Sequence, residues 1–440
     1  MPAPPTKKRK DQNQPEDTTM SHLPEYLDTL ETRDPHTRER DLMAHLPQLV
    51  AHAQSASGWA RILSGMTAAD INSRAALAQL PVTRKSDLKD LQKLDIPFGG
   101  LTTTPVRQLG RLFMSPGPIF DPEGRAQDWW RFARPLHAVG LRAGHIVQNC
   151  FSYHFTPAAF MVEGACAKLG CAVIPAGVGQ TELQVQAMVA LKPDAYVGTP
   201  SFLKLIIEKA AEMGADISSV QRAVLGAEAL PPSLRAWLQE HGLAHVVQMY
   251  ASADIGNIAY ESETDGRLNP GMIVDEDILL EIVRPGTGDP VADGEVGEVV
   301  VTSFNPDYPL IRFATGDLSA ILPGISPCGR SNTRIKGWMG RADQTTKVRG
   351  MFVHPSQVAE ITRRHPGILK ARLVVSGEMA NDAMTLLCEA ADQGASSDLV
   401  IESIRDSIRD VSKLRGEVQF VARGSLPNDG KVIEDARKYE

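Results

Sequence analysis

No apolar run in the 440-residue chain reaches the roughly eighteen residues that a membrane-spanning helix needs, and no apolar signal core follows the N-terminus. A cytoplasmic chain with no membrane partner is therefore expected. Cysteine is scarce as well. Cys150, Cys166, Cys171, Cys328 and Cys388 are odd in number and form no CxxC pair, which argues against a disulfide framework and a zinc knuckle and leaves buried thiols as the expectation. Excess positive charge is also missing. A formal net charge of -7 excludes a nucleic-acid-binding surface spread over the whole molecule, although a local basic patch is compatible with it.

What is present fits a large globular protein, with 42% hydrophobic and 22% charged residues. The length exceeds one ordinary core, so a large domain and a smaller one are expected. Residues 1–20 lack an apolar period and are rich in proline and charge, which predicts a flexible tail. The KKRK within that tail resembles a nuclear or nucleic-acid signal, but short basic runs are common in tails.

From residue 25 to about 91 the spacing of Leu27, Leu30, Leu42, Leu46, Leu49 and Val50 predicts helices, and LPVTRKSDL then reads as a connection into a short helix. Strands at 145–151, 171–177, 194–200, 222–228 and 245–251 alternate with helices at 158–169, 182–191, 201–213 and 231–241. Such alternation predicts a parallel sheet wrapped in helices, with ligands at the loops beyond strand C-termini. ILLEIVRPGTG, GEVGEVVVTSF and PLIRFATGDLSAIL follow, strand-rich and divided by turns, as an antiparallel sheet or small barrel-like β part would be. The fold class is thus α/β: a large domain over 21–340 with helix-wrapped mixed or parallel sheets, and a small mobile α+β domain over 341–440.

LPVTRKSDL, TPSFLKLI, GAEALPPSLR, MYASADIG, GEVGEVVVTSF, RFATGDL, GRADQTTKVRGMFVHPSQVAEI and GSLPNDGK stand in an order that resembles the phenylacetate-CoA ligase branch of the adenylate-forming enzymes. Motifs this short occur singly by chance; their collinearity from about residue 25 to the C-terminus is the specific signal. The resemblance implies an AMP-forming ligase that joins a small-molecule carboxylic acid to a thiol, with ATP, Mg2+ and coenzyme A, and it leaves a homodimer open. Such chemistry requires anionic reactants to be aligned and their charge neutralised.

By that resemblance Asp317 of TGDL receives the ribose hydroxyls, and Lys431 is the mobile lysine that bridges carboxylate and α-phosphate. A long ammonium side chain suits that task. Arg341 resembles a ribose or phosphate contact, Asp343 the hinge, and Lys347 and Arg349 a hairpin facing the site in the thiol-transfer pose. Gly226, Ala227 and Glu228 resemble the loop against adenine, and Tyr250 its stacking aromatic. Asp254 stands where the family has a magnesium-binding glutamate, keeping a hard oxygen ligand at shorter reach. Taken alone, each residue also has a plain reading: a turn aspartate, a surface lysine, an exposed basic strand or a core tyrosine.

The departure is at the phosphate loop. Here the matching segment reads MSPGPIFDPEGR, in which only Ser115 and Gly117 keep the character of the family's phosphate-cradling loop, while Pro116 and Pro118 bring no amide hydrogen. Arg125 is a candidate replacement for the lysine that usually ends the loop. Tyr153, His154 and Phe155 resemble the lining of an acyl pocket that suits an aryl acid, and core packing explains them equally well. Three functions are open: an acid-CoA ligase, an adenylating enzyme with a carrier protein or other acceptor, and an impaired nucleotide- or acyl-binding relative. Deletion of residues 1–19 is expected to leave activity within twofold; a large loss in a steady-state assay would show that the tail is not a passive extension.

Overall fold

A computed structural model describes residues 25–115, 118–342, 344–349, 351–377, 381–390, 397–427 and 431–437. The expected tail, Gly117 and Asp343 lie outside the described residues. Nine strands form the principal sheet. Ala172–Ile174, Ile146–Asn149, Ala195–Gly198, Arg222–Leu225 and His245–Ser252 run parallel in that spatial order. Gly256–Tyr260, Met272–Val274, Arg334–Ile335 and Ile321–Leu322 then extend the sheet with antiparallel pairings.

The helices on this sheet follow from local chemistry. Pro200–Met213 begins with Pro200 in its first turn and the Thr199 hydroxyl accepting from the Phe202 amide at 3.4 Å, and it ends at Gly214 in the left-handed conformation. Its Leu203, Ile206, Ile207 and Ala210 recur on one face and are buried. Ala158–Leu169 closes the same way at Gly170, with φ +77.

The strand-rich middle is a four-stranded sheet of Thr83–Arg84, Leu310–Ser319, Gly297–Ser303 and Ile278–Val283. Thr83–Arg84, which the sequence suggests is a connection, is a strand parallel to Leu310–Ser319. Two residues carry no readable period, and their partner is remote in the chain. The segment corresponding to the phosphate loop is a β-hairpin, with Arg111–Ser115 antiparallel to Ile119–Glu123. The helical N-terminal region is broken into short pieces around the longer Pro35–Ala53 helix, whose first turn is capped by Asp34.

Residues 346–435 build a separate apolar core between the sheet Glu417–Val421, Ala383–Ala390, Ile368–Ser376, Ile433–Asp435 and the helices Pro355–Arg364 and Asp398–Ser412. Val358, Ile361, Leu373, Leu386, Ile404 and Ile408 are buried in it.

Arg312 ties the four-stranded sheet to the N-terminal helices. Its side chain is 2% exposed and donates to Glu281 at 3.2 Å and to the carbonyls of Ala78, Leu80 and Gly288 at 2.8, 2.7 and 2.6 Å. Removing it would leave Glu281 buried without its partner. Arg312→Ala is therefore expected to cost about 3–5 kcal/mol of stability, read from the urea midpoint; a change below about 1 kcal/mol would contradict this role.

Candidate active site

The parallel strands and the Leu310–Ser319 strand bring the motif residues to one region. Asp317 is its most heavily bonded carboxylate. One oxygen accepts from the Tyr250 hydroxyl at 2.8 Å, and the other accepts from Trp338 Nε1 at 3.1 Å and an Arg341 guanidinium nitrogen at 3.0 Å. Arg341 also donates to the Thr315 carbonyl at 3.1 Å, and Thr315 Oγ1 accepts from the Asp317 amide. Gly316 permits this crowding, because a Cβ there would lie 2.5 Å from the Arg341 guanidinium. Burial first, and then the Asp317 charge, push the Tyr250 hydroxyl well above its ordinary pKa, so it stays a donor.

Beside it runs the loop after Arg222–Leu225. The Gly226 amide donates to the Gly198 carbonyl at 3.1 Å, and Ala227 takes a left-handed backbone, with φ +65. Glu228 accepts from Ser201 Oγ at 2.6 Å, while its own carbonyl accepts from Gln248 at 3.0 Å. The Ala227 carbonyl accepts from the ammonium of Lys347, which comes from the Thr346–Val348 and Met351–Val353 hairpin. Burial, partly offset by Glu228 and Asp317, lowers the Lys347 pKa. Arg349, one turn further, instead grips Asp382 through its amide at 3.0 Å and its guanidinium at 3.1 and 2.9 Å.

A second charged group gathers at the other side. Thr83–Arg84 pairs with the strand bearing TGDL, which delivers the next residue, Lys85, to Asp254 as an ion pair. The Asp254 side chain is fully buried, and its second oxygen has no hydrogen-bond partner. Asp121, from the Ile119–Glu123 strand, is fully buried with both oxygens unpartnered, and the Tyr308 hydroxyl is likewise buried and unpartnered. Burial and the Asp254 charge, opposed by Lys85 and by the Ser115 hydroxyl, push Asp121 up to about 7. For Lys85, burial acts downward, but Asp254 and Asp121 outweigh it and the net shift is upward. A buried carboxylate oxygen without a donor is the chemistry a hard divalent cation satisfies, so Asp254 fits Mg2+.

The other expected residues divide. Lys431 lines a cavity of about 270 Å³ with Trp338, Arg341, Gln344 and Thr346, at the junction of the two cores. Tyr153 is held by Glu163 at 2.7 Å and Asn149 at 2.9 Å, and it packs edge-on against Phe160 with ring centroids 5.4 Å apart. His154 stacks edge-on with Phe155 at 4.7 Å, but Phe155 is 57% exposed, with a left-handed backbone at φ +62. Ser115 donates to the Ile119 carbonyl at 3.3 Å and so helps close the hairpin. Arg125 donates to the Gln108 carbonyl at 2.9 Å on the surface, a structural contact for the candidate phosphate ligand. Lys85, Asp121, Tyr308 and Trp338 are additions. Lys85 and Asp121 lie within quoted motifs, but neither residue type marked itself there.

The class is that of AMP-binding enzymes, whose family matches residues 136–305, the stretch that carries the parallel sheet and the Gly226 to Glu228 loop. A phenylacetate-coenzyme A ligase of Aromatoleum evansii is 30% identical over 331 residues, 73% of this chain and 73% of that protein. The chain belongs to the phenylacetate-coenzyme A ligase family and is an AMP-forming, ATP-dependent acid-CoA ligase. Among solved structures, 2-hydroxyisobutyryl-CoA ligase with 2-HIB-AMP and CoA in the thioesterification state superposes with a TM-score of 0.80 at 23% identity, covering 95% of each chain. The same enzyme in the postadenylation state with 2-HIB-AMP gives 0.68 at 24% identity, covering 92% of this chain and 91% of that one.

If Asp317 receives the ribose, Asp317→Ala should weaken AMP binding at least tenfold, in line with the roughly 1.5–3 kcal/mol of a charged hydrogen bond. Calorimetric titration with AMP checks this, and unchanged affinity would remove Asp317 from the nucleotide site.

Proposed function

We propose that this ligase activates an aryl or arylacetic acid and transfers it to coenzyme A, with domain alternation about the 340/341 boundary and Asp343 as hinge. The observation that carries the reading is the Asp317 cluster, in which a large-domain strand, Tyr250 and the hinge-side Arg341 share one carboxylate. In the first step a substrate carboxylate oxygen attacks the α-phosphorus of ATP, and the bond to pyrophosphate breaks. Asp317 orients the ribose, and the Gly226, Ala227 and Glu228 loop lies against the base. Asp254 would hold Mg2+, which supplies charge neutralisation to the phosphates. Lys431 pairs with the two anions when the small domain swings to the adenylation pose.

In the second step the CoA sulfur attacks the acyl carbon and AMP leaves. The present arrangement suits this pose: Lys347 reaches the large-domain loop, and the higher TM-score belongs to the thioesterification state of the structural relative. The aryl preference draws on the relatives' activity and on the Tyr153 and Phe113 rings, each with its centroid 5.4 Å from that of Phe160. We place the enzyme in the cytoplasm.

ATP–pyrophosphate exchange with a panel of aromatic and short aliphatic acids tests the reading. Exchange should be fastest with an aryl acid, and Lys431→Ala should slow it at least a hundredfold. Lys347→Ala should slow CoA-thioester formation more than exchange. Exchange without thioester would favour a carrier-protein acceptor; no exchange with any acid, together with undetectable ATP binding, would refute catalysis.

A further inference from the structure

Asp121 has no role in the steps above, yet it is fully buried next to the charge of Asp254. It comes from the hairpin that replaces a phosphate-cradling loop, where a carboxylate would repel the phosphates it replaces donors for. Three carboxylate oxygens in this cluster, both of Asp121 and one of Asp254, make no well-formed hydrogen bond, although the Ser115 hydroxyl is close enough to act on Asp121, and the buried Tyr308 hydroxyl makes none either. Lys85 is the cation paired with Asp254, so when Asp121 is ionised as well, two carboxylates and one ammonium leave a formal charge of -1 inside the protein. Uncompensated buried charge is strongly unfavourable. A proton shared by the carboxylates would satisfy at most two of the three oxygens. A divalent cation can engage all three and offset the charge.

We propose that Asp121 is a second carboxylate ligand of the divalent cation held by Asp254, so that the metal binds before the nucleotide. The inference rests on the assignment of Asp254 above. Magnesium is typically held by one or two carboxylates and completes its shell with water and substrate phosphate. That matches a site in which, among the described residues, no three His, Cys, Asp or Glu side chains converge. The resident cation would supply the positive charge that the hairpin lacks, with two of its prolines bringing no amide hydrogen. The reaction would otherwise be unchanged, because the phosphates would meet a metal already in place.

The test uses the intact protein with manganese chloride and no nucleotide, followed by electron paramagnetic resonance of free Mn2+ and by calorimetry, with magnesium as competitor. The wild type should bind one Mn2+ per chain, displaced by magnesium. Asp121→Asn and Asp254→Asn should each weaken it at least tenfold, whereas the surface change Asp398→Asn should not; circular dichroism and the urea midpoint would verify folding of each variant. Absence of nucleotide-free Mn2+ binding in the wild type overturns the proposal whatever the variants do. So does an Asp121→Asn protein that keeps wild-type Mn2+ affinity, or one that gains ATP affinity because the carboxylate had only repelled phosphate. Metal binding that appears only with ATP and is lost in Asp254→Asn would sink the role of Asp121 while leaving that of Asp254 standing.

Discussion

The Asp317 carboxylate is the point on which the two halves of the molecule depend. It receives Tyr250 from one sheet, stands on a strand of another, and is joined by Arg341 and Trp338 from the segment leading into the small domain. Its side chain is only 16% exposed, so the anion is favourable there because several donors converge on it. The same convergence makes it ready for a ligand. Hydroxyl donors of a ligand can exchange with the Tyr250 and Trp338 donors without leaving the charge bare, because Arg341 stays paired with it.

Electrostatics are distributed unevenly along the site. Asp317 is neutralised by Arg341, and the loop at Ala227 meets an ammonium whose pKa burial has lowered. On the Lys85 side, acid outnumbers base, with Asp121 and Asp254 facing a single lysine. Weak binding of phosphate is the simple expectation from the loop's sequence. The buried geometry instead suggests that positive charge enters with a cation, exchanging main-chain donors for a metal.

Much of the large domain was legible because its elements are long and periodic. The helix Ala158–Leu169 and the strands of the parallel sheet lie where the alternation of apolar runs and turn residues predicts them. The four-stranded sheet was legible as strands, though its order was not, since the edge strand Thr83–Arg84 pairs with residues far along the chain. Asp317, Tyr250 and Arg341, singled out because their motifs are collinear with a family, do come together in the fold. Lys85 and Asp121 were not singled out, since a lysine in a helix-entry motif and an aspartate in a hairpin have ordinary explanations until their neighbours are known. Phe155, for which core packing is one reading, proves exposed, on a residue with a left-handed backbone.

The sequence by itself determined the fold class and the family, because these are encoded in local periodicity and in the order of short motifs. Only the tertiary structure decided that Lys347 meets the Ala227 loop while Lys431 lines a cavity with Trp338 and Arg341, that Arg125 turns to a surface carbonyl, and that the partly exposed Lys85 pairs with a buried Asp254 whose charge acts on the buried Asp121 and Tyr308. The physical reason is that charge and desolvation act through space. A carboxylate's partners, and the absence of them, are set by strands that the chain brings together from distant positions.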